Sequence, residues 1–434
     1  MTIPKLYEIY QRYPHVFTDT RNIIKDGIFF ALKGGNFNGN EFAHAALQGG
    51  AAYAITDEPT GENDDRIILV DDVLTTLQHL ARHHRRQLNI PIIAITGSNG
   101  KTTTKELVTA VLKTGYKTYA TAGNLNNHIG VPLTLLRVGM DAEIVVVEMG
   151  ANHQKEIAGY CLIAEPTHGI ITNCGKAHIE GFGGEEGVRK GKGELYDYIR
   201  LHNGTIFRNA DLHYLKDMAK GYHNEVTYGA DDATYTASQS ERGIFLDVMP
   251  HINQNETIIH THLVGEYNFG NVTTAIAIGL HFGIPVQKIK EAIEAYYPDN
   301  SRSQWLTAGS NQIILDAYNA NPTSMEAAIR NFAKTDLKNK ILWIGAMKEM
   351  GDAERAEHER IIALIQQYEW ADVILVGKEF EALHGAIKWF ENSTAAADYI
   401  AGNKPQNASI LIKGSRGARM EIMKETLMSN NTEN

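Results

Sequence analysis

Three short runs, Ile92-Ile93-Ala94-Ile95, Ile144-Val145-Val146-Val147 and Ile170-Ile171-Thr172, contain no alternating polar position. Unbroken apolar runs of this length predict strands buried on both faces, as in a parallel sheet covered by helices. Helical stretches lie between and after them, at 105–112, at 187–198 and at 271–282. The last of these reads as an amphipathic helix ending at Gly283. Further strands are expected at 205–207 and 257–261. Strand and helix in alternation predict a doubly wound, mostly parallel sheet over residues 88–300.

The same reading extends to both flanks. Asp26-Gly27 precedes a strand at 28–32 that Lys33-Gly34-Gly35 closes, a helix spans 43–49, and strands follow at 51–55 and 67–70. This predicts a small N-terminal α/β domain over 1–87. Pro298-Asp299-Asn300-Ser301 is a turn-rich break and a hinge candidate. Beyond it, strands at 313–316, 341–344, 373–376 and 409–413 alternate with helices starting at Ser324 and Glu354. They predict a third, Rossmann-like α/β domain over 301–434. No internal repeat is visible, and the last six or so residues are expected to be disordered.

Composition narrows the class. A chain of 434 residues with 43% hydrophobic content can build several cores, and a net charge of −10 argues against a broad nucleic-acid surface. The single basic run, Arg82-His83-His84-Arg85-Arg86, reads as a solvated helix end. No apolar stretch reaches 18 residues and no signal-peptide pattern opens the chain, so no transmembrane segment and a cytoplasmic location are expected. The two cysteines, Cys161 and Cys174, have neither metal-ligand nor disulfide spacing and read as packing residues.

The candidate chemistry begins where the first apolar run ends. Gly97-Ser98-Asn99-Gly100-Lys101-Thr102-Thr103 joins a strand to a helix. Glycines there let backbone N–H groups turn toward phosphate oxygens, and the helix N-terminus adds positive potential. Lys101 can neutralise β- and γ-phosphates, and the Thr102 hydroxyl can sit on Mg²⁺. The general pattern G-x-x-x-x-G-K-[ST] would need glycine where the chain has Ile95, so only the shorter form is present. Use of ATP or GTP follows.

Other polar clusters also end strands. Glu148 closes the run 144–147 at the sheet edge where ligands bind, placed to hold Mg²⁺ with Thr102. His178 ends the segment after strand 170–172 on the same edge. Lys190, Lys192 and Glu194 share one helix. Asn268 and Asn271 are three apart near a helix start, where either can cap the helix or read an adenine edge. Asp316-Ala317-Tyr318-Asn319-Ala320-Asn321-Pro322 and Gly414-Ser415-Arg416-Gly417 follow strands of the third domain as ligand loops.

Together these motifs resemble the Mur ligase family, the ATP-dependent amide ligases of bacterial cell-wall synthesis. Thr96-Gly97-Ser98-Asn99-Gly100-Lys101-Thr102 is similar to that family's shortened phosphate loop. Residues 123–132, 148–151, 177–183, 316–322 and 413–417 follow in the family's order. The resemblance implies joining of D-alanyl-D-alanine to the terminal carboxylate of UDP-N-acetylmuramoyl-tripeptide (UDP-MurNAc-tripeptide) through an acyl phosphate. It implies ATP, two Mg²⁺ ions, and CO₂ carried as a carbamate on Lys192. By resemblance, Lys101 binds the transferred phosphate, Thr102 and Glu148 hold one Mg²⁺, and His178 with carbamylated Lys192 holds a second. Asn268 and Asn271 contact adenine, while Arg302, Asp316, Asn319 and Asn321 close on ATP. Thr20, Arg21 and Lys33 resemble UDP-sugar recognition segments. Asn124, Asn126 and Asn127 belong to a substrate loop, and Ser415 and Arg416 are assigned to the dipeptide. A monomer is expected. Alternatives are another Mur-type or folylpolyglutamate-type ligase, a P-loop NTPase acting as a switch without ligation, and a non-catalytic binder of the nucleotide sugar.

Overall fold

A computed structural model describes residues 1–61, 64–240, 243–252 and 255–429. The expected disorder at the C-terminal tail falls on 430–434, outside the described residues. Among the described residues three large, helix-flanked sheets follow one another in sequence order.

The first has four parallel strands, Val16–Phe17, Ile28–Phe30, Tyr53–Thr56 and Ile67–Leu69, in that order. Ile28, Phe29 and Phe30 are fully buried, because helices cover both faces. A small hairpin, Lys33–Gly34 with Phe37–Asn38, projects from it.

The second sheet carries the phosphate loop. Strand Ile92–Thr96 lies between Ile144–Glu148 and His168–Ile171, with Thr118–Ala120 beyond the former and Thr205–Asn209 and Glu225–Gly229 beyond the latter. All of these pairs are parallel. The order therefore reverses on either side of Ile92–Thr96, which places a ligand crevice at that strand's C-terminal end. The sheet ends in antiparallel strands, Phe245–Ile252 pairing with Tyr235–Ser240 and Ile259–Val264.

The third sheet runs Gln304–Ala308, Asn311–Asp316, Ser409–Lys413, Lys340–Gly345, Asp372–Val376, Lys388–Phe390, with only the first strand antiparallel.

Two sequence expectations change here. Helix Phe269–His281 is not amphipathic: every position from Asn271 to Gly279 is buried. It packs between the phosphate-loop helix Lys101–Leu112 and the antiparallel end of the sheet, so no face is left for water. The basic run is not a solvated helix end either. It closes helix Val73–Arg85, where Arg85 and His84 are buried. Arg85 donates to the carbonyls of Ala164, Leu88 and Glu165, while Arg82 and Arg86 pair with the Glu165 carboxylate. These cations dock the helix onto the C-terminal end of helix Glu156–Ala164.

Candidate active site

The phosphate loop has its shape because two glycines sit in conformations that L side chains avoid. Gly97 has φ 145° and Gly100 has φ 80°. A Cβ at Gly97 would strike the Thr172 hydroxyl, and one at Gly100 would strike the Asn271 amide. Gly100 then caps helix Lys101–Leu112, which aims its N-terminus into a cleft of about 500 Å³.

That cleft gathers most of the sequence candidates. Ser98, Asn99, Gly100, Lys101, Thr102, Thr103, Glu148 and His178 line it from the second sheet. Asn124, Asn126, Asn127, Asn268 and Asn271 do so as well, and Arg302, Asp316 and Asn319 close it from the third. Lys192, Asn321, Ser415 and Arg416 border this region without lining it, and Thr20, Arg21 and Lys33 lie in the first sheet's layer.

Lys101 is folded back on its own loop, donating to the carbonyls of Gly97 at 2.7 Å and Ser98 at 3.3 Å. Burial lowers its pKa to about 8; Glu148 opposes the shift and Arg302 adds to it. Thr102 Oγ1 donates to Glu148 Oε1 at 3.2 Å, and Asn126 Nδ2 donates to the same oxygen at 2.7 Å. The other carboxylate oxygen, Oε2, is buried with no partner in the protein. An anionic oxygen left open beside a hydroxyl fits a hard divalent cation. His178 Nδ1 lies against the Glu349 carboxylate across the gap to the third sheet's layer. Among the described residues no cluster of three or more His, Cys, Asp or Glu forms a ready-made metal site.

Lys192 sits one layer behind. It is 1% exposed, donates to the Ala151 carbonyl at 3.1 Å and lies 5.0 Å from the centre of the Phe182 ring. Burial, with the nearby Lys101 charge, lowers its pKa to about 7, so much of the amine is uncharged at neutral pH.

Asn268 and Asn271 bond within the protein. Asn271 Nδ2 donates to Asn268 Oδ1 at 2.8 Å, Asn268 Nδ2 donates to the Val264 carbonyl, and Asn271 Oδ1 accepts from Thr104. Asn127 Oδ1 accepts from the backbone of Ile129 and Gly130. Asp316 is held at 2.5 Å by Lys413, a buried lysine at the end of a strand. Arg302 lies over the Tyr318 ring at 3.9 Å and Arg416 at 5.5 Å. Ser415 is 2% exposed, its hydroxyl unpartnered.

The pairing of Lys413 with Asp316 was not visible in sequence; a lysine ending an apolar run looks like a strand boundary. Asn152, Glu156 and Tyr160 also line the cleft. Their only sequence signal is that they follow the Glu148 strand end. In the first sheet's layer, Arg21 grips Asp19 in a bidentate, exposed pair that lowers the Asp19 pKa to about 2. Lys33 bridges Asp57 at 2.9 Å and Glu58 at 2.8 Å.

Comparison with known proteins agrees with this architecture. The Mur ligase middle domain matches residues 95–279, and the Mur ligase, glutamate ligase domain matches 301–416. A UDP-N-acetylmuramoyl-tripeptide--D-alanyl-D-alanine ligase of Bacillus subtilis (strain 168) is 36% identical, covering 95% of this chain and 93% of that one. The crystal structure of MurF from Acinetobacter baumannii superposes with TM-score 0.88 at 30% identity over 99% of both chains. The MurF ligase from Thermotoga maritima in complex with ADP gives 0.85 at 25% identity, covering 95% and 97%. The chain therefore belongs to the Mur ligase family.

Proposed function

We propose that this chain joins D-alanyl-D-alanine to the terminal carboxylate of UDP-MurNAc-tripeptide, releasing ADP and phosphate, in peptidoglycan precursor synthesis. The observation that carries this reading is the single cleft in which a phosphate loop and a half-free buried carboxylate face Arg302 and Asp316 of the next layer.

The tripeptide carboxylate attacks the γ-phosphorus of ATP, the bond to the bridging oxygen breaks, and ADP leaves. The amine of the dipeptide then attacks the acyl carbon, expels phosphate and gives up a proton. Two anions must meet in the first step, so cationic groups must lie between them. Lys101 would leave the Gly97 and Ser98 carbonyls for the phosphates. Thr102 and Glu148 would hold one Mg²⁺, and His178 with Lys192 a second; the ions would neutralise charge developing on the phosphoryl oxygens. An uncharged Lys192 amine is the form that adds CO₂. A carbamate there would give Lys192 a negative charge and two oxygens able to hold a metal. Acyl phosphates hydrolyse, so closure of the third layer excludes water.

Residues 1–87 would hold the UDP-sugar through Thr20, Arg21 and Lys33, residues 88–300 would hold ATP, and residues 301–434 would close over it. Asn268, Asn271 and Asn319 would border the nucleotide, and Asn124 and Asn127 the tripeptide. Ser415 and Arg416 would meet the dipeptide. A cytoplasmic monomer fits this role, and among the described residues no helix is long and apolar enough to cross a membrane.

The test is phosphate release from ATP and Mg²⁺ with UDP-MurNAc-tripeptide and D-alanyl-D-alanine, separately and together. Release only with both, with a product heavier by one dipeptide, is expected. Release without either would replace the ligase with a switch NTPase, and no release at all would leave a non-catalytic binder.

A further inference from the structure

Asn321 is the N-cap of the 13-residue helix Pro322–Lys334. Its Oδ1 accepts from Ser324 N at 3.0 Å, and its own N–H donates to Ser324 Oγ at 3.1 Å, a complete capping box. The same side chain also reaches across to the phosphate loop. Asn321 Nδ2 donates to Asn99 Oδ1 at 2.7 Å, and Asn99 Nδ2 donates back to Asn321 Oδ1 at 3.4 Å. Asn321 is 4% exposed.

Asn99 immediately precedes Gly100 and Lys101 in the loop. Its backbone is fixed from the central sheet: Thr172 Oγ1 and Asn173 Nδ2 donate to its carbonyl at 2.6 and 3.0 Å, and its N–H donates to Asn173 Oδ1 at 3.0 Å. Only its side chain is fixed from the third layer. Around this pair lie rim contacts: Lys176 N–H donates to Thr323 Oγ1 at 3.0 Å, Lys176 Nζ to Glu357 at 2.7 Å, and His178 meets Glu349.

These contacts differ in what they can specify. Lys176 is partly exposed, so its attraction is screened and tolerates many geometries. A reciprocal, part-buried amide pair with one partner buried and locked in a capping box has one register.

We propose that the Asn99–Asn321 amide pair is a latch through which closure of the third layer sets the shape of the phosphate loop. Asn321 is then a positioning residue acting through Asn99, not a nucleotide ligand. This rests on the ligase reading above. When the third layer swings away, both amides rehydrate and the loop loses its side-chain tether. ATP is then gripped, and the acyl phosphate shielded, only in the closed arrangement.

A double-mutant cycle tests it with Asn99→Ala and Asn321→Ser, the serine retaining a capping hydroxyl. Each single variant is expected to bind ATP about tenfold more weakly, as for loss of the loop's amide tether. Each should also release more phosphate per dipeptide joined than the wild type. The double variant should be no worse than the poorer single. If N321S unfolds early on heating, N321T, which also caps the helix and carries no amide, takes its place. Additive losses, or unchanged ATP affinity and unchanged coupling in N99A, would overturn the latch. Failure of the wild type to form product would strike the ligase reading alone, since ATP affinity by calorimetry across the four proteins still decides the latch.

Discussion

Lys192 and Lys33 are the same side chain in opposite circumstances. Lys192 is buried behind the cleft with one carbonyl as its partner, and burial drives its pKa down to about 7. Lys33 stands at the surface of the first sheet's hairpin, and Glu58 and Asp57 raise its pKa. The lesson is that burial without a carboxylate partner lowers the Lys192 pKa, while two carboxylates at the surface of the N-terminal layer keep Lys33 a fixed cation. Lys101 belongs with Lys192: it too is lowered by burial, to about 8.

The comparison can be tested in order of expected effect. Lys101→Ala removes the cation between two reacting anions, and kcat/KM for ATP should fall by about 10³-fold in a coupled ADP assay. Lys192→Ala should lower kcat by about 10²-fold, as for loss of a metal-supporting group. Short carboxylates should restore part of that activity, and full activity without rescue would remove Lys192 from the metal site.

The third test uses pH. Free Lys101 is charged below about 8 and neutral above it. A polyphosphate favours the charged form, so binding takes up a proton above that pH. ATP affinity should therefore be level below about pH 7 and weaken by up to about tenfold per unit above 8. Calorimetry in buffers of different ionisation enthalpy reads this proton uptake directly.

The smallest effect is expected from Lys33→Ala. Loss of an exposed pair should leave stability close to that of the wild type and the KM for ATP unmoved. Only the KM for the nucleotide sugar should rise, by about fivefold or less. If Lys33→Ala instead matched Lys192→Ala in kcat, the contrast between the two regions would be wrong.

Legibility in the sequence followed the range of each interaction. Strand Ile92–Thr96 and the glycine turn were readable because a buried strand and a positive φ each impose a local residue choice. Strand Ile259–Val264 was placed a few residues early, because a half-buried edge carries a weak apolar signal. Asn126 read as one of three equivalent loop asparagines, but its amide lies on Glu148, 22 residues away, while Asn127 accepts from the backbone of its near neighbours Ile129 and Gly130. Arg85 and the helix Phe269–His281 misled for the same reason in opposite senses. Whether a charged or polar position meets water depends on which element lands on it.

Local residue pattern was enough for the α/β class, the position of the phosphate loop, and the residue types able to meet a nucleotide and a divalent cation. Each of these rests on periodicity or on chemistry within a few neighbouring residues. It took the folded chain to leave one Glu148 oxygen open, to make Lys192 dry and Lys33 wet, and to bring Asn321 onto Asn99 across the cleft. Desolvation and hydrogen-bond pairing are set by what the folded chain brings alongside a residue, and no local pattern encodes a neighbour 222 positions away.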